Sequence, residues 1–579
     1  MKYYRIKIII GFIALFAIFN ACQDNILEKY PLDQVSSADF MKKPNDLKIY
    51  VNQFYNDALF PVFWGANLGN TYSGGADDYD SDNQINGTSI DVRLQGTRTV
   101  SYGGRVGWNF SNVRKVNYFF DNYKKCTGDF KKYQQYVGEA YFFRAVIYFQ
   151  LMQTFGDVPL LTTVLETNSP ELYEPRTPRN IVADKIISDL DSAAMYLSDV
   201  KNDGASRINR WIALAFQTRV ALYEGTWEKY HASDAFKVAS PQPAKYFNKV
   251  VEAATAIMGS GKFDIYTTGK PTSDYANLFI QRDYATNKEV LFWKKFSTAL
   301  SLNSNKNYQQ EFPYNKSITK ELADSYLCND GKPITNNPLF LGYTTITDEM
   351  KNRDPRFYQT IFTPDAPWMI DASGTKFWND VYLNLNSATK FNSPSGYVLR
   401  KGYDPLLANH NLNYEETPSI HYRYAEVLLN FVEAKAELGT INQDDIDKSV
   451  KKLRDRVGMP NLNLASITPD SKWDFPTLSP IINEIRRERR IELSLEGFRW
   501  PDIARWAAAD ELIVGKRPKG LKGSQINAKL FPIDENGFLD PFKVSLPNGY
   551  GFVLSRDYLN PIPESQLVLN PQLGQNPGW

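Results

Sequence analysis

The feature that most constrains this chain is a set of long segments whose apolar residues recur every three or four positions. Asn209 to Tyr230 reads NRWIALAFQTRVALYEGTWEKY, with Ala213, Phe216, Val220 and Tyr223 on one stripe. Similar spacing runs through VGEAYFFRAVIYFQLMQTF, ending at Phe155, and through YRYAEVLLNFVEAKAEL from Tyr422 to Leu438. Ile446 to Val457 and Pro480 to Leu495 read as their partners. This periodicity predicts amphipathic helices, and Gly439, directly after Leu438, is placed to end one of them.

Alanines near the helix centres (Ala140, Ala145, Ala213, Ala434) allow neighbouring axes to approach closely. Small residues alternating with large ones on paired helices follow the packing logic of tetratricopeptide-type repeats. Between the helices lie stretches rich in Gly, Asn, Asp, Ser and aromatics: Pro61 to Asn109, Lys270 to Tyr314 and Thr363 to Asp404. Loops beyond about 12–15 residues are uncommon and usually functional. The tail, Tyr558 to Trp579, is punctuated by prolines and reads as an extended strap. No Pro/Gly/Ser linker divides the chain, so residues 22–579 read as one mainly α body with long loops.

Lys2, Arg5 and Lys7 precede the apolar run Ile8 to Phe19. That run is well short of the ~20 residues a spanning helix needs, so residues 1–21 read as a signal peptide. Ala21-Cys22 at its end resembles a bacterial lipobox and is followed at once by polar Gln23-Asp24-Asn25. By that resemblance Cys22 carries several acyl chains, because one chain alone anchors only marginally; the other reading is an ordinary secretory signal. With 66 basic and 65 acidic residues, charge gives no argument for nucleic acid. Beyond Cys22 only Cys126 and Cys328 remain, either as a pair or as two buried thiols.

Motifs for catalysis are sparse. The three histidines, His231, His410 and His421, form no metal-ligand spacing, and neither HExxH, CxxC nor Gly-x-Ser-x-Gly occurs. Asp77, Asp78, Asp80 and Asp82 offer oxygen ligands for a structural calcium, yet their spacing misses an EF-hand and suits a solvated loop. Glu488 and Glu492, interleaved with arginines, read as a ladder of ion pairs on a helix face. Arg353-Asp354-Pro355-Arg356 reads as a turn. A glycosidase needs only two carboxylates from anywhere in the fold, so that class stays open.

Several separated segments carry a family resemblance. GEAYFFRA from Gly138 runs into FGDVPL from Phe155; RDPRF from Arg353 is followed by Gly396-Tyr397 and Arg400-Lys401. YRYAEVLLN from Tyr422 precedes Glu433-Ala434 and LRDRVGMP from Leu453. ERRIELSLEGFRW from Glu488 precedes Asp502, Arg505 and Trp506, and the chain ends in a Pro-Ile-Pro to Asn-Pro-Gly-Trp strap. Together these resemble SusD/RagB lipoproteins. The resemblance implies a right-handed tetratricopeptide-like helical scaffold and a loop-rich half that binds a nutrient oligosaccharide. It also implies attachment at the outer-membrane surface, partnership with a SusC-like TonB-dependent β-barrel, and neither catalysis nor a cofactor.

Sugars offer apolar C–H faces and a rim of hydroxyls, so their binders combine flat aromatic rings with Asn, Asp, Gln and Arg. Rings in polar loops are the candidate platform: Trp64, Tyr72, Tyr79, Tyr102, Trp368 and Trp378, with Asp78 and Arg98 for hydroxyl contacts. Trp211, Trp500 and Trp506 sit in helical motifs and are set aside as scaffold. Each loop ring also has a second reading, as an anchor pinning its loop to the body. Peptide as the imported ligand, read through backbone hydrogen bonds and apolar pockets, is the alternative of a different class.

Overall fold

The computed structural model describes residues 40–56, 59–60, 78–101, 107–200, 207–379, 390–412, 414–526 and 531–579. Its longer helices are α1 (Pro44–Asn52), α2 (Ser111–Asn122), α3 (Gln134–Phe155), α4 (Arg179–Tyr196), α5 (Arg210–Tyr230), α6 (Pro243–Gly259), α7 (Tyr424–Glu437), α8 (Val450–Arg456), α9 (Pro480–Glu492) and α10 (Arg499–Arg505). Cap chemistry sets several ends. The Asn209 side chain accepts from the N–H groups of Trp211 and Ile212 and starts α5. Gly439, at φ +69°, ends α7 as expected of a left-handed residue there.

Successive helices stack, α3 on α4, α4 on α5, α5 on α6 and α6 on α7, which is the tetratricopeptide-like arrangement. The close approach is visible at Gly225, where an added Cβ would fall 2.8 Å from the Phe247 ring. One large core runs through this stack and takes in α9, α10 and the strap. A second core gathers Ile318, Phe357, Trp378, Tyr397, Leu495 and Leu521; a third gathers Tyr275, Tyr284, Trp293 and Met459. Strands are few among the described residues and form three antiparallel pairs: β1 (Gln84–Asn86) with β3 (Lys316–Ile318), β2 (Val290–Lys294) with β6 (Ser419–Arg423), and the hairpin β4 (Pro367–Asp371) with β5 (Gly374–Phe377).

Three expectations need correction. Glu488 and Glu492 do not form a surface ladder; both are buried and reach across the fold. Glu492 lies 2.7 Å from Arg456, 2.8 Å from Arg423 and 3.0 Å from Arg356, while Glu488 lies 2.6 Å from Arg356 and 2.9 Å from Arg454. The Arg353–Arg356 turn is present, with Asp354 accepting from the Arg356 N–H at 2.9 Å, but the Arg356 side chain belongs to this lattice. The strap is not wholly extended, since Glu564–Leu569 is helical. Cys126 and Cys328 are separate buried thiols, and burial pushes Cys328 up to about 11.

Candidate ligand-binding site

A cavity of about 300 Å³ opens where α3, α5, β6 and the turn before α10 meet, with Asp80 and Arg93 on its edge. Its floor is apolar: Phe149 packs edge-on to Phe216 (5.4 Å between ring centres) and to Tyr223 (5.5 Å), and Phe60 lies beside them. Phe498 and Trp500 are half-buried on one wall, and Gln150 and Gln153 bring amides from α3. The Arg93 guanidinium lies 4.3 Å over the Trp500 ring and 3.5 Å from Asp80. Arg219 grips Glu426 at 2.6 Å and lies over both Tyr422 and Phe498.

A strained turn aims Phe498 and Trp500. Leu495 has φ +64° and Gly497 φ +78°, the left-handed region that a branched residue such as leucine enters at a cost of about 1–2 kcal/mol. Asp78 fixes this turn: its carboxylate accepts from the Leu495 N–H at 2.8 Å and from the Asn83 amide at 3.0 Å. Burial raises Asp78 to about 6. Thus Asp78, expected to meet sugar hydroxyls, instead holds the wall that carries Trp500.

Arg98 is likewise buried and turned inward. It donates to the Asn560 side chain at 2.6 Å and pairs with Asp557 at 3.0 Å, tying the loop to the strap. Trp378 is fully buried and stacked on Phe362 at 4.2 Å, so neither face is open. Trp368 donates its indole N–H to the Glu311 carbonyl at 2.8 Å and packs on Phe312, which makes it a loop anchor. Tyr79 is half-buried next to Asp78. Trp64, Tyr72, Tyr102 and Cys22 lie outside the described residues. The ring missed in the sequence is Trp500, set aside because its motif reads as helix; nothing local signals that this one ring of the motif faces a cavity.

Of the acidic cluster, Asp77 lies outside the described residues, Asp78 turns to the Leu495 backbone, and Asp80 and Asp82 turn to arginines. Burial works to raise Asp82, but Arg490 and Arg499 outweigh it and bring it down to about 2. Asp80 faces Arg93. Among the described residues no group of His, Cys, Asp and Glu is arranged to hold a metal ion. On the cavity wall Asp80, Glu426, Glu496 and Asp502 each face an arginine. Burial opposes ionisation of Glu496, yet Arg423 and Lys401 hold it below the usual carboxylate range. Glycoside hydrolysis asks for a carboxyl kept protonated near neutrality, the opposite tuning. What the wall offers chemically is aromatic ring faces and hydrogen-bonding side chains.

These features define a class, the helical-repeat binding protein with an aromatic cavity beside its stack. The chain belongs to the SusD family: the family's model matches residues 284–579, and a second model, described as starch-binding associating with outer membrane, matches residues 77–222. It is 26% identical to SusD-like protein P2 of Formosa agariphila across the full length of both chains. A SusD-like carbohydrate-binding protein of Bacteroides fragilis superposes with a TM-score of 0.70 at 21% identity, covering 92% of this chain and all of the other. A laminarin-binding SusD-like protein superposes at 0.56 and 18% identity, covering 93% of this chain and all of the other. No helix among the described residues is long and apolar enough to cross a membrane.

Proposed function

We propose that this chain is a cell-surface lipoprotein, anchored through Cys22, that captures an oligosaccharide and hands it to a SusC-like TonB-dependent outer-membrane transporter without cleaving it. The observation that carries the capture role is the cavity itself. Its volume of about 300 Å³ stands at the low end of the ~300–1,000 Å³ typical of ligand pockets. It sets Trp500 and Phe498 beside the Gln150 and Gln153 amides, a ring-and-amide pairing suited to sugar faces and hydroxyls. Because the wall's charges are matched by one another, the ligand that fits best brings hydroxyls, not charge. Carbohydrate binding by the Bacteroides fragilis and laminarin-binding relatives supports the same reading.

Calorimetry and affinity gels on residues 23–579, with a panel of polysaccharides and peptides, test the ligand. The expected result is saturable binding to one glycan class with the glycan recovered intact. Shorter products would make it a hydrolase; binding to peptides alone would change the ligand and keep the import role. For the anchor, Cys22→Ser is expected to abolish acyl labelling and release the protein from membranes. Co-purification of a β-barrel with the tagged protein from native membranes is the test of the transporter.

A further inference from the structure

Several surface lysines of this protein sit against carboxylates. Lys185, Lys229, Lys245, Lys262 and Lys452 each have an acidic partner within 2.5 to 2.9 Å. On one face lysines without such a partner cluster together. Lys43, Lys115, Lys124, Lys125, Lys131 and Lys132 are all exposed, and none forms an ion pair among the described residues. Segments 40–50 and 111–132 together hold nine basic residues against three acidic ones, in a chain whose net charge is +1.

The fold brings these segments onto one surface. The Thr127 N–H donates to the Lys42 carbonyl at 3.0 Å, and the Tyr50 hydroxyl donates to the Lys115 carbonyl at 2.8 Å. Tyr50 also packs on Phe40 and Tyr118. The three acidic residues are engaged by backbone: Asp46 accepts from the Lys43 N–H, Asp129 from that of Lys131, and Asp121 from that of Val164. Their carboxylates serve as caps and clips, and the ammonium groups of Lys43, Lys115, Lys124, Lys125, Lys131 and Lys132 have no ion pair among the described residues. The face also surrounds Phe40, the first residue described after the segment that follows Cys22. Seventeen residues lie between the two positions, a length of chain reaching at most about 65 Å.

We infer that this lysine face is a membrane-contact surface, seating the protein on the phosphate headgroups of the bilayer that its N-terminal anchor enters. The inference rests on the lipoprotein reading for its orientation, since a tether of that length beside the face holds it near the bilayer. Its physics is independent of the acyl chains: clustered lysines within a Debye length of an anionic surface each add attraction, and the attraction falls with salt.

The test uses residues 23–579, which carry no lipid, and vesicles of equimolar phosphatidylglycerol and phosphatidylcholine against vesicles of phosphatidylcholine alone. Cosedimentation with the anionic vesicles only, weakening as salt is raised, is expected. K124Q/K125Q/K131Q/K132Q is expected to lower that binding by about tenfold or more, whereas the matching Lys→Arg variant retains it. Both variants are expected to keep the parent's Tm and glycan affinity. Equal binding to neutral vesicles, no binding to anionic ones, or a Lys→Gln variant that binds like the parent overturns the inference. Failure of acyl labelling at Cys22 would instead strike the lipoprotein reading, so the two failures are told apart.

Discussion

The lattice around Glu492 and the wall around Trp500 stand only a few residues apart in the chain and use the same chemistry: arginine, carboxylate and aromatic ring. They differ in how completely each charge is enclosed. Glu492 is fully buried and meets three arginines within 3.0 Å, and burial, which opposes ionisation, is outweighed so that the carboxyl stays far below its usual range. Arg93 and Asp80 lie 3.5 Å apart, with 16% and 33% of their side chains exposed. A charge with several dry partners is committed to the scaffold. A charge at a wet edge, still partly open to solvent, keeps hydrogen-bonding capacity for a ligand.

Breaking the dry side of this comparison has the largest expected effect. Glu492→Gln leaves Arg423, Arg456 and Arg356 short of a counter-charge and is expected to cost about 3–5 kcal/mol, read from the urea midpoint. Glycan binding should vanish only where the protein has unfolded; full stability in the variant would mean that the arginines find other partners. Trp378→Ala falls in a similar range, ~3–5 kcal/mol, because it empties a buried, stacked site. Its folded fraction should bind glycan normally, and a selective loss of affinity would restore Trp378 to the site.

The lattice also sets the response to acid. In Glu433 burial opposes ionisation, but Arg505 and Arg489 prevail and lower it from 4.5 to about 2; Asp82 is lowered similarly from 3.8. A depressed folded-state pKa stabilises above the unfolded value and loses that contribution as pH falls through the folded one. Stability should therefore drop between pH 4.5 and 2, by on the order of 2 kcal/mol for each carboxyl. Asp78 runs the other way: burial raises it from 3.8 to about 6, so protonating it between pH 6 and 4 relieves a cost. Urea melts across this range should show a plateau or slight rise before the fall. A steady decline from pH 7 would mean the buried acids are not tuned in this way.

Sequence periodicity carried the helical stack, because each helix writes its buried face at local spacing. The lattice was not legible: Arg356 and Glu492 lie 136 positions apart, and no local pattern announces their 3.0 Å contact. The loop aromatics misled for a related reason. Polar neighbours made Trp378 look exposed, but its loop folds over a second core that exists only once β3, the Arg356 turn and Leu495 have come together. Asp78 looked like a hydroxyl contact, whereas its partner is the backbone of Leu495, 417 positions away. Trp500 was hidden by the reverse effect, a scaffold motif whose turn rotates one ring outward.

The wet side of the comparison predicts smaller, selective changes. Trp500→Ala removes a half-buried ring and one face of the Arg93 stack. Glycan affinity is expected to fall by roughly tenfold, as loss of an aromatic anchor typically does, with a stability cost of about 1 kcal/mol. Calorimetry beside a urea melt separates the two, and unchanged affinity would place the sugar elsewhere on the molecule.

The finest test is Asp80→Asn. Exposed ion pairs contribute about 0–1 kcal/mol, so a 3.5 Å contact at the cavity edge gives the substitution little leverage on folding. A carboxylate accepts sugar hydroxyl protons more strongly than an amide oxygen does, since charge-assisted hydrogen bonds are about twice as strong as neutral ones. An unchanged Tm with about threefold weaker glycan binding is therefore the signature of a ligand-facing acid. A lowered Tm with unchanged binding would move Asp80 to the scaffold with Asp78 and Asp82, and the boundary between the two regions would then fall at Arg93 and Trp500.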